Sequence, residues 1–114
     1  MIDADGIAIV DPETVQAVEF NETAHRQLGY TRDEFSRLPL NEYEASEKPE
    51  ETAAHIGKVL REGRDDFETR HRTKTGEVRN VLVTVQTIEL SGRLHFHAVF
   101  RDITERKRAE AAIQ

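Results

Sequence analysis

The period of the apolar residues shifts from 3.6 to 2 at Gly63, and that change limits the folds open to this chain. From Glu51 to Glu62 apolar residues recur at helical spacing, with Ala53, Ile56, Val59 and Leu60 on one stripe and Gly63 just past the end. Beyond Gly63 the period falls to that of a strand. Phe67 to Thr73 reads as a highly charged strand, Lys74-Thr75-Gly76-Glu77 as a hairpin turn, and Val78 to Leu90 as a long strand with Val81, Val83 and Val85 on one face. Ser91-Gly92 turns the chain again, and Leu94 to Ile103 forms a last strand in which Phe96, Ala98 and Phe100 alternate. Consecutive strands joined by tight turns are antiparallel. Ile88 and Leu90 have the opposite parity to the valines, so the long strand is expected to carry a bulge near Gln86 and Thr87 or to leave its sheet there.

Before the helix lie two short strands, Ile7 to Val10 closed by Asp11-Pro12, and Ala17 to Phe20. Asn21 then suits a helix N-cap, with Ala24 and Leu28 at helical spacing and Gly29 as the stop. Thr31 with Glu34 three residues later matches a capping box, opening a second short helix with Phe35 and Leu38. Glu42 to Glu51 is rich in Glu and lacks a strong apolar anchor, so it reads as a solvated connection running into the long helix. After Thr104 the residues are charged and helix-forming, which predicts an exit helix. One antiparallel sheet covered on one face by helices buries these faces most simply, and the first strand pair must join the last three strands in it.

Composition narrows the function classes. The chain has 114 residues, enough for one domain, and 22 acidic against 16 basic residues give a formal charge of -6, a poor match for nucleic-acid phosphate. It has no cysteine, which removes disulfides, thiolate metal sites and Cys nucleophiles. No apolar run is long enough to span a membrane, and no signal-peptide layout opens the chain, so a cytoplasmic location is expected. Met1 is followed almost at once by a strand and the carboxyl end stops within a helical pattern, which suggests a piece of a longer chain. Ser36, Ser46 and Ser91 lack a nucleophile-elbow context and the glycines form no phosphate loop. No catalytic constellation stands out, and no enzyme activity is expected of this segment.

These residues, in this order, resemble a PAS domain with its carboxyl-terminal PAC region. Asp5-Gly6-Ile7 with Asn21, Ala24, Leu28, Gly29 and Tyr30 is similar to the family's opening. Phe67-Glu68 through Lys74-Thr75-Gly76 resembles its charged strand and hairpin, and Arg101-Asp102-Ile103-Thr104-Glu105-Arg106-Lys107 resembles its closing junction. Two departures are Thr75, where the hairpin often has Asp, and Asn80, where the next strand often has Trp. The resemblance implies an α+β fold, a five-stranded antiparallel sheet covered on one face by helices, with residues 1–103 as the sensor domain and 104–114 as the start of a signalling linker helix. It further implies a bacterial-style sensory module that passes a ligand- or partner-induced change to a covalently linked output domain such as a diguanylate cyclase or histidine kinase. The alternative is a constitutive dimerisation scaffold that senses nothing. Either is expected to form a homodimer, through the outward sheet face with Val99 and Ile103 and the exit helix with Ala109, Ala112 and Ile113.

The resemblance assigns signal transmission to Asp102, Ile103 and Thr104, with Asp102 contacting a basic residue near the hairpin, Lys74 or Arg79. A cap at that boundary couples the last strand to the exit helix. A small pocket between helices and sheet is expected near Phe20, Ile56, Val59, Val83, Phe96 and Ala98, holding an apolar metabolite or nothing. His55 lies beside Ile56 in the element where haem-binding members carry their axial ligand, and is the candidate should haem bind. His95 and His97 point the same way on one strand, where His71 on the charged strand could approach them, but without a joining carboxylate no metal is expected. Photochemistry through a cysteinyl adduct or a cysteine-tethered chromophore needs a residue this chain lacks.

Overall fold

The computed structural model describes residues 5–113, so the ends of both expected segments, residues 1–4 and Gln114, and the side chain of Ile113 lie outside the described residues. In chain order the elements are β1 (Gly6–Asp11), β2 (Gln16–Phe20), α1 (Glu22–Arg26), α2 (Arg32–Ser36), α3 (Leu40–Tyr43), α4 (Pro49–Glu62), β3 (Arg64–Arg72), β4 (Val78–Leu90), β5 (Arg93–Asp102) and α5 (Thr104–Ile113). The five strands form one antiparallel sheet in the order β2-β1-β5-β4-β3. The last strand therefore lies between the opening pair and the long hairpin, and joins the two halves of the chain. The α+β layout expected from the sequence is the observed one.

Local chemistry accounts for the element boundaries. The Asn21 side chain accepts from the Ala24 N–H at 3.0 Å and from the Ile7 N–H at 2.9 Å, so one residue caps α1 and ties it to β1. Thr31 and Glu34 make both bonds of a capping box on α2. Pro49 opens α4, and Gly63, at φ +83°, closes it in the left-handed region with its N–H donating to Val59 O at 2.8 Å. The β4–β5 hairpin turns on Ser91 and Gly92, both at positive φ, as a two-residue connection requires. Gly6 is fixed by close approach: a Cβ there would stand 3.0 Å from the Ala24 Cα.

Two adjoining clusters make the core. Ala8, Val81, Val83, Ala98 and Phe100 form the inner sheet face. Ala24, Leu28, Phe35 and Tyr43 pack beside it, with Phe20 edge-on to Phe35 at a centroid distance of 4.8 Å.

The fold departs from the expected local structure in four places. β4 neither bulges near Gln86 nor leaves the sheet; it stays in register with β5 from Val81 opposite Asp102 to Leu90 opposite Arg93. Ile88 and Leu90 simply lie on the outer face. The irregularity is instead between Ile9 and Val10 of β1, opposite an extra residue, Val18, in β2. The inward stripe of α4 is Thr52, His55, Ile56 and Val59, whereas Ala53 and Leu60 face out, Leu60 with 49% of its surface exposed. Apolar spacing misplaced that stripe because half of the buried side is polar. Ile103 is buried, at 2% exposure, rather than on the outer face: its N–H donates to Asn80 O at 2.8 Å as the chain leaves the sheet, and strand parity ends there.

Candidate functional site: a core cavity and the sheet-to-helix junction

A cavity lies between α3, α4 and the inner sheet face. Ile56, Val59, Val83, Phe96 and Ala98 line it, as anticipated. Phe20 does not; it belongs to the neighbouring aromatic cluster, where Phe35 and the Arg32 guanidinium cover its ring. The free space within it is about 70 Å³. At roughly 10–15 Å³ per water this holds about five waters, close to the bulk of one aromatic ring.

One wall is polar, and the sequence did not mark it. The stretch read as a solvated connection carries Glu44 and Glu47 into this wall. Glu44 pairs in a β-bridge with His71, and its side chain is only 5% exposed. Its carboxylate accepts from the Thr69 hydroxyl at 2.8 Å, the Ser46 N–H at 2.9 Å and the Glu47 N–H at 3.0 Å. Three donors compensate much of the cost of burying it. What signal there was lies in β3, whose inward positions Asp65, Phe67, Thr69 and His71 alternate with exposed charged residues.

His55 does reach the cavity, but both ring nitrogens are taken. Nδ1 is 2.7 Å from Asp65 Oδ2, Nε2 is 2.8 Å from Glu47 Oε2, and the ring stacks on Phe67 at 3.8 Å. An axial haem ligand needs a free ring nitrogen in a space that admits a macrocycle, so the site does not fit haem. What His55 does is fasten α4 to β3 and to the connection before α4. Burial raises the Glu47 carboxyl above the usual range, opposed by the neighbouring His55. Burial also pushes Asp65 up, but hydrogen bonds from His55 and Lys58 outweigh it and leave Asp65 below the usual range.

His71 is only 2% exposed, and it contacts Tyr43 and Phe100 edge-on at centroid distances of 5.0 and 5.4 Å. Its Nδ1 has no hydrogen-bond partner, and its Nε2 lies 3.9 Å from Glu44 Oε1. Burial drives this imidazole down to about 4, against the opposite pull of the Glu44 and Asp102 carboxylates, so the ring is neutral at neutral pH. The expected approach of His71 to His95 and His97 does not occur. β4 separates β3 from β5, and His71 faces the core while His95 and His97 share the outer face. Among the described residues no group of His, Asp and Glu is arranged to hold a metal ion.

The second feature is the junction. Arg79, not Lys74, is the partner of Asp102: Arg79 Nε donates to Asp102 Oδ2 at 2.8 Å, while Lys74 pairs with Glu34. Asp102 Oδ1 accepts from the Thr104 N–H at 2.9 Å, and Thr104 Oγ1 accepts from the Asn80 N–H at 2.8 Å. Burial pushes the Asp102 carboxyl up, and the bonds from Arg79 and Thr104 more than reverse this. Further along α5, Lys107 Nζ reaches Glu68 of β3 at 2.8 Å. The exit helix is thus held by side chains and backbone from three strands, β3, β4 and β5, that also wall the cavity.

Comparison with known proteins agrees with this geometry. A sensor associated with methyl sulfide methyltransferase from Methanosarcina acetivorans is 31% identical over 108 residues, which is 95% of this chain and 11% of that protein. The chain thus spans about a tenth of that relative. Among solved structures, the PAS domain of an HTR-like protein from Haloarcula marismortui superposes with a TM-score of 0.78 at 24% identity, covering 87% of this chain and 81% of the other. A domain of a sensory box sensor histidine kinase/response regulator from Geobacter sulfurreducens gives a TM-score of 0.73 at 24% identity, covering 86% and 82%. No helix among the described residues is long and apolar enough to cross a membrane. The PAS domain family matches residues 4–105, nearly the whole chain, and the chain belongs to that family.

Proposed function

We propose that this domain is a non-catalytic, cytoplasmic sensory module in which occupancy of the core cavity changes how α5 is held, and that α5 carries the change to a covalently attached output domain. The observation that carries this reading is the shared strands. Val83 and Val85 of β4 line the cavity, and Arg79 and Asn80 of the same strand hold Asp102, Ile103 and Thr104. On β3, Phe67 and Thr69 face the cavity while Glu68 between them grips Lys107 from the other side. A small movement of either strand reaches α5 without an intermediary. A sensor is one of the relatives, and a structural neighbour comes from a histidine kinase/response regulator, so a kinase output is a natural class, with a diguanylate cyclase the other.

The test is Asp102→Ala in the full-length parent chain. The proposal expects a blunted or locked output response with the domain still folded; a response equal to that of wild type would refute it.

A second reading, a homodimeric scaffold, draws on the outer sheet face, where Ile7 lies opposite Val99 and where Ile9, Leu82 and Ile88 also stand. Ile7→Glu with Val99→Glu is expected to convert a dimer to a monomer by light scattering. If dimerisation is the whole role, output would then track oligomeric state and ignore any cavity ligand.

A further inference from the structure

Resting on the sensing reading above, we infer that the cavity takes a small apolar molecule, about one aromatic ring in bulk, that carries a neutral or cationic hydrogen-bond donor and no anionic group, with His71 and Glu44 reading its polar end. The size follows from the free space of about 70 Å³. The apolar part follows from the valines, Phe96, Ala98 and Phe100 that make up the sheet wall.

The donor follows from His71. A buried polar nitrogen without a partner is costly, and the ring that carries this one, His71, is part of the cavity lining. A neutral imidazole keeps its proton on one nitrogen only. The Glu44 carboxylate stands beside Nε2, at 3.9 Å, and favours the tautomer protonated there. Nδ1 then offers a lone pair. A ligand completes it by donating, as a hydroxyl, an amide or an amine does.

The exclusion of anions follows from the charges around the site. Among the described residues, the only basic group within 4.0 Å of the Glu44 carboxylate is the His71 ring, and that ring is held neutral by burial. Glu47 adds a second carboxyl to the same wall, and the Lys58 ammonium is engaged by Asp65. A carboxylate ligand would face two carboxyls, Glu44 held by neutral donors and Glu47 paired with His55, with no Lys or Arg among the described residues of the lining to receive it.

A route in is also visible. A groove of about 560 Å³ runs between the β1–β2 turn, α3 and α4, and shares Val15, Leu40, Glu44, Glu47, Thr52 and Ile56 with the cavity lining. Val15 on this rim has φ +56°, a conformation a β-branched residue rarely adopts. A ligand longer than one ring can lie along the groove with its ring inside.

The test is calorimetric titration of the 114-residue chain at pH 7.5 with phenol, toluene and benzoate, three probes sharing one ring. Phenol is expected to bind about tenfold more tightly than toluene, the worth of one buried hydrogen bond. Benzoate is expected to bind on the order of a hundredfold more weakly than phenol. His71→Phe should erase the preference for phenol over toluene, and Glu44→Gln should narrow the benzoate deficit. Benzoate binding as tightly as phenol, a phenol preference that survives His71→Phe, or no binding of phenol at millimolar concentration would each overturn the inference. These readouts do not pass through α5, so they judge the ligand class separately from the sensing reading, which stands or falls on the output response.

Discussion

Replacing His71 by Phe should stabilise this domain, by an amount that depends on pH in a defined way. His71 has a buried Nδ1 without a partner, and leaving such a group unsatisfied costs about 1–3 kcal/mol. Phe keeps the edge-on contacts with Tyr43 and Phe100 with a ring only slightly larger, so little overpacking offsets the gain. A gain of about 1–2 kcal/mol is expected at pH 7.5. The folded-state value is lowered from 6.5 to about 4, so between those limits the unfolded chain binds a proton that the folded one refuses. Stability is therefore complete above the ordinary value and is lost as pH falls toward the lowered one. At ~1.36 kcal/mol per pH unit the full loss is about 3 kcal/mol, most of it reached by pH 4.5. The variant lacks this loss. Urea unfolding followed by circular dichroism, on both proteins from pH 7.5 to 4.5, gives the difference in stability free of the other titrating groups. The advantage of His71→Phe should grow by about 2–3 kcal/mol over that range. A difference that stays flat with pH, or a variant less stable than wild type at pH 7.5, would refute the reasoning.

Other perturbations have equally specific outcomes. Asp65→Asn should cost about 2 kcal/mol at pH 7, because the Asp65 side chain is buried beside His55 and Lys58. Since its value is lowered, that difference should be complete above the ordinary carboxylate range and vanish as pH falls through the lowered value, as acid titration of both proteins would show. Gly6→Ala places a Cβ 2.8 Å from Gln27 Nε2 and 3.0 Å from the Ala24 Cα; a loss of about 1–3 kcal/mol is expected by chemical denaturation. Val15→Asn relieves a β-branched residue at φ +56° and should raise stability by about 1 kcal/mol, measured as a higher Tm.

The sequence makes the sheet legible because its signals are local. Gly63, Lys74-Thr75-Gly76 and Ser91-Gly92 punctuate strands whose apolar positions alternate, and those strands appear with boundaries within a few residues of the expected ones. Asn21 and the Thr31–Glu34 pair likewise declare their helices through hydrogen bonds that span three residues. The aliphatic side of the cavity was legible for the same reason, since Val83, Phe96 and Ala98 follow strand parity. Its polar side was not. Glu44 and Glu47 resemble solvated loop residues until Thr69 on a distant strand, His55 on the next helix and two nearby backbone amides satisfy them. Phe20 was misassigned because its neighbours Phe35 and Ala24 come from helices whose packing strand parity does not describe. Ile103 was misplaced by extending that parity past the point where Asn80 turns the chain out of the sheet.

Hydrogen exchange across α5 tests the coupling of cavity to exit helix most directly. Amide exchange of residues 104–113 would be followed with the cavity empty and saturated with phenol, in the wild-type chain and in Asp102→Ala. Ligand binding should change exchange in α5 of wild type by several-fold, and the change should disappear in Asp102→Ala although phenol still binds. Identical exchange in α5 with and without bound ligand would contradict the account.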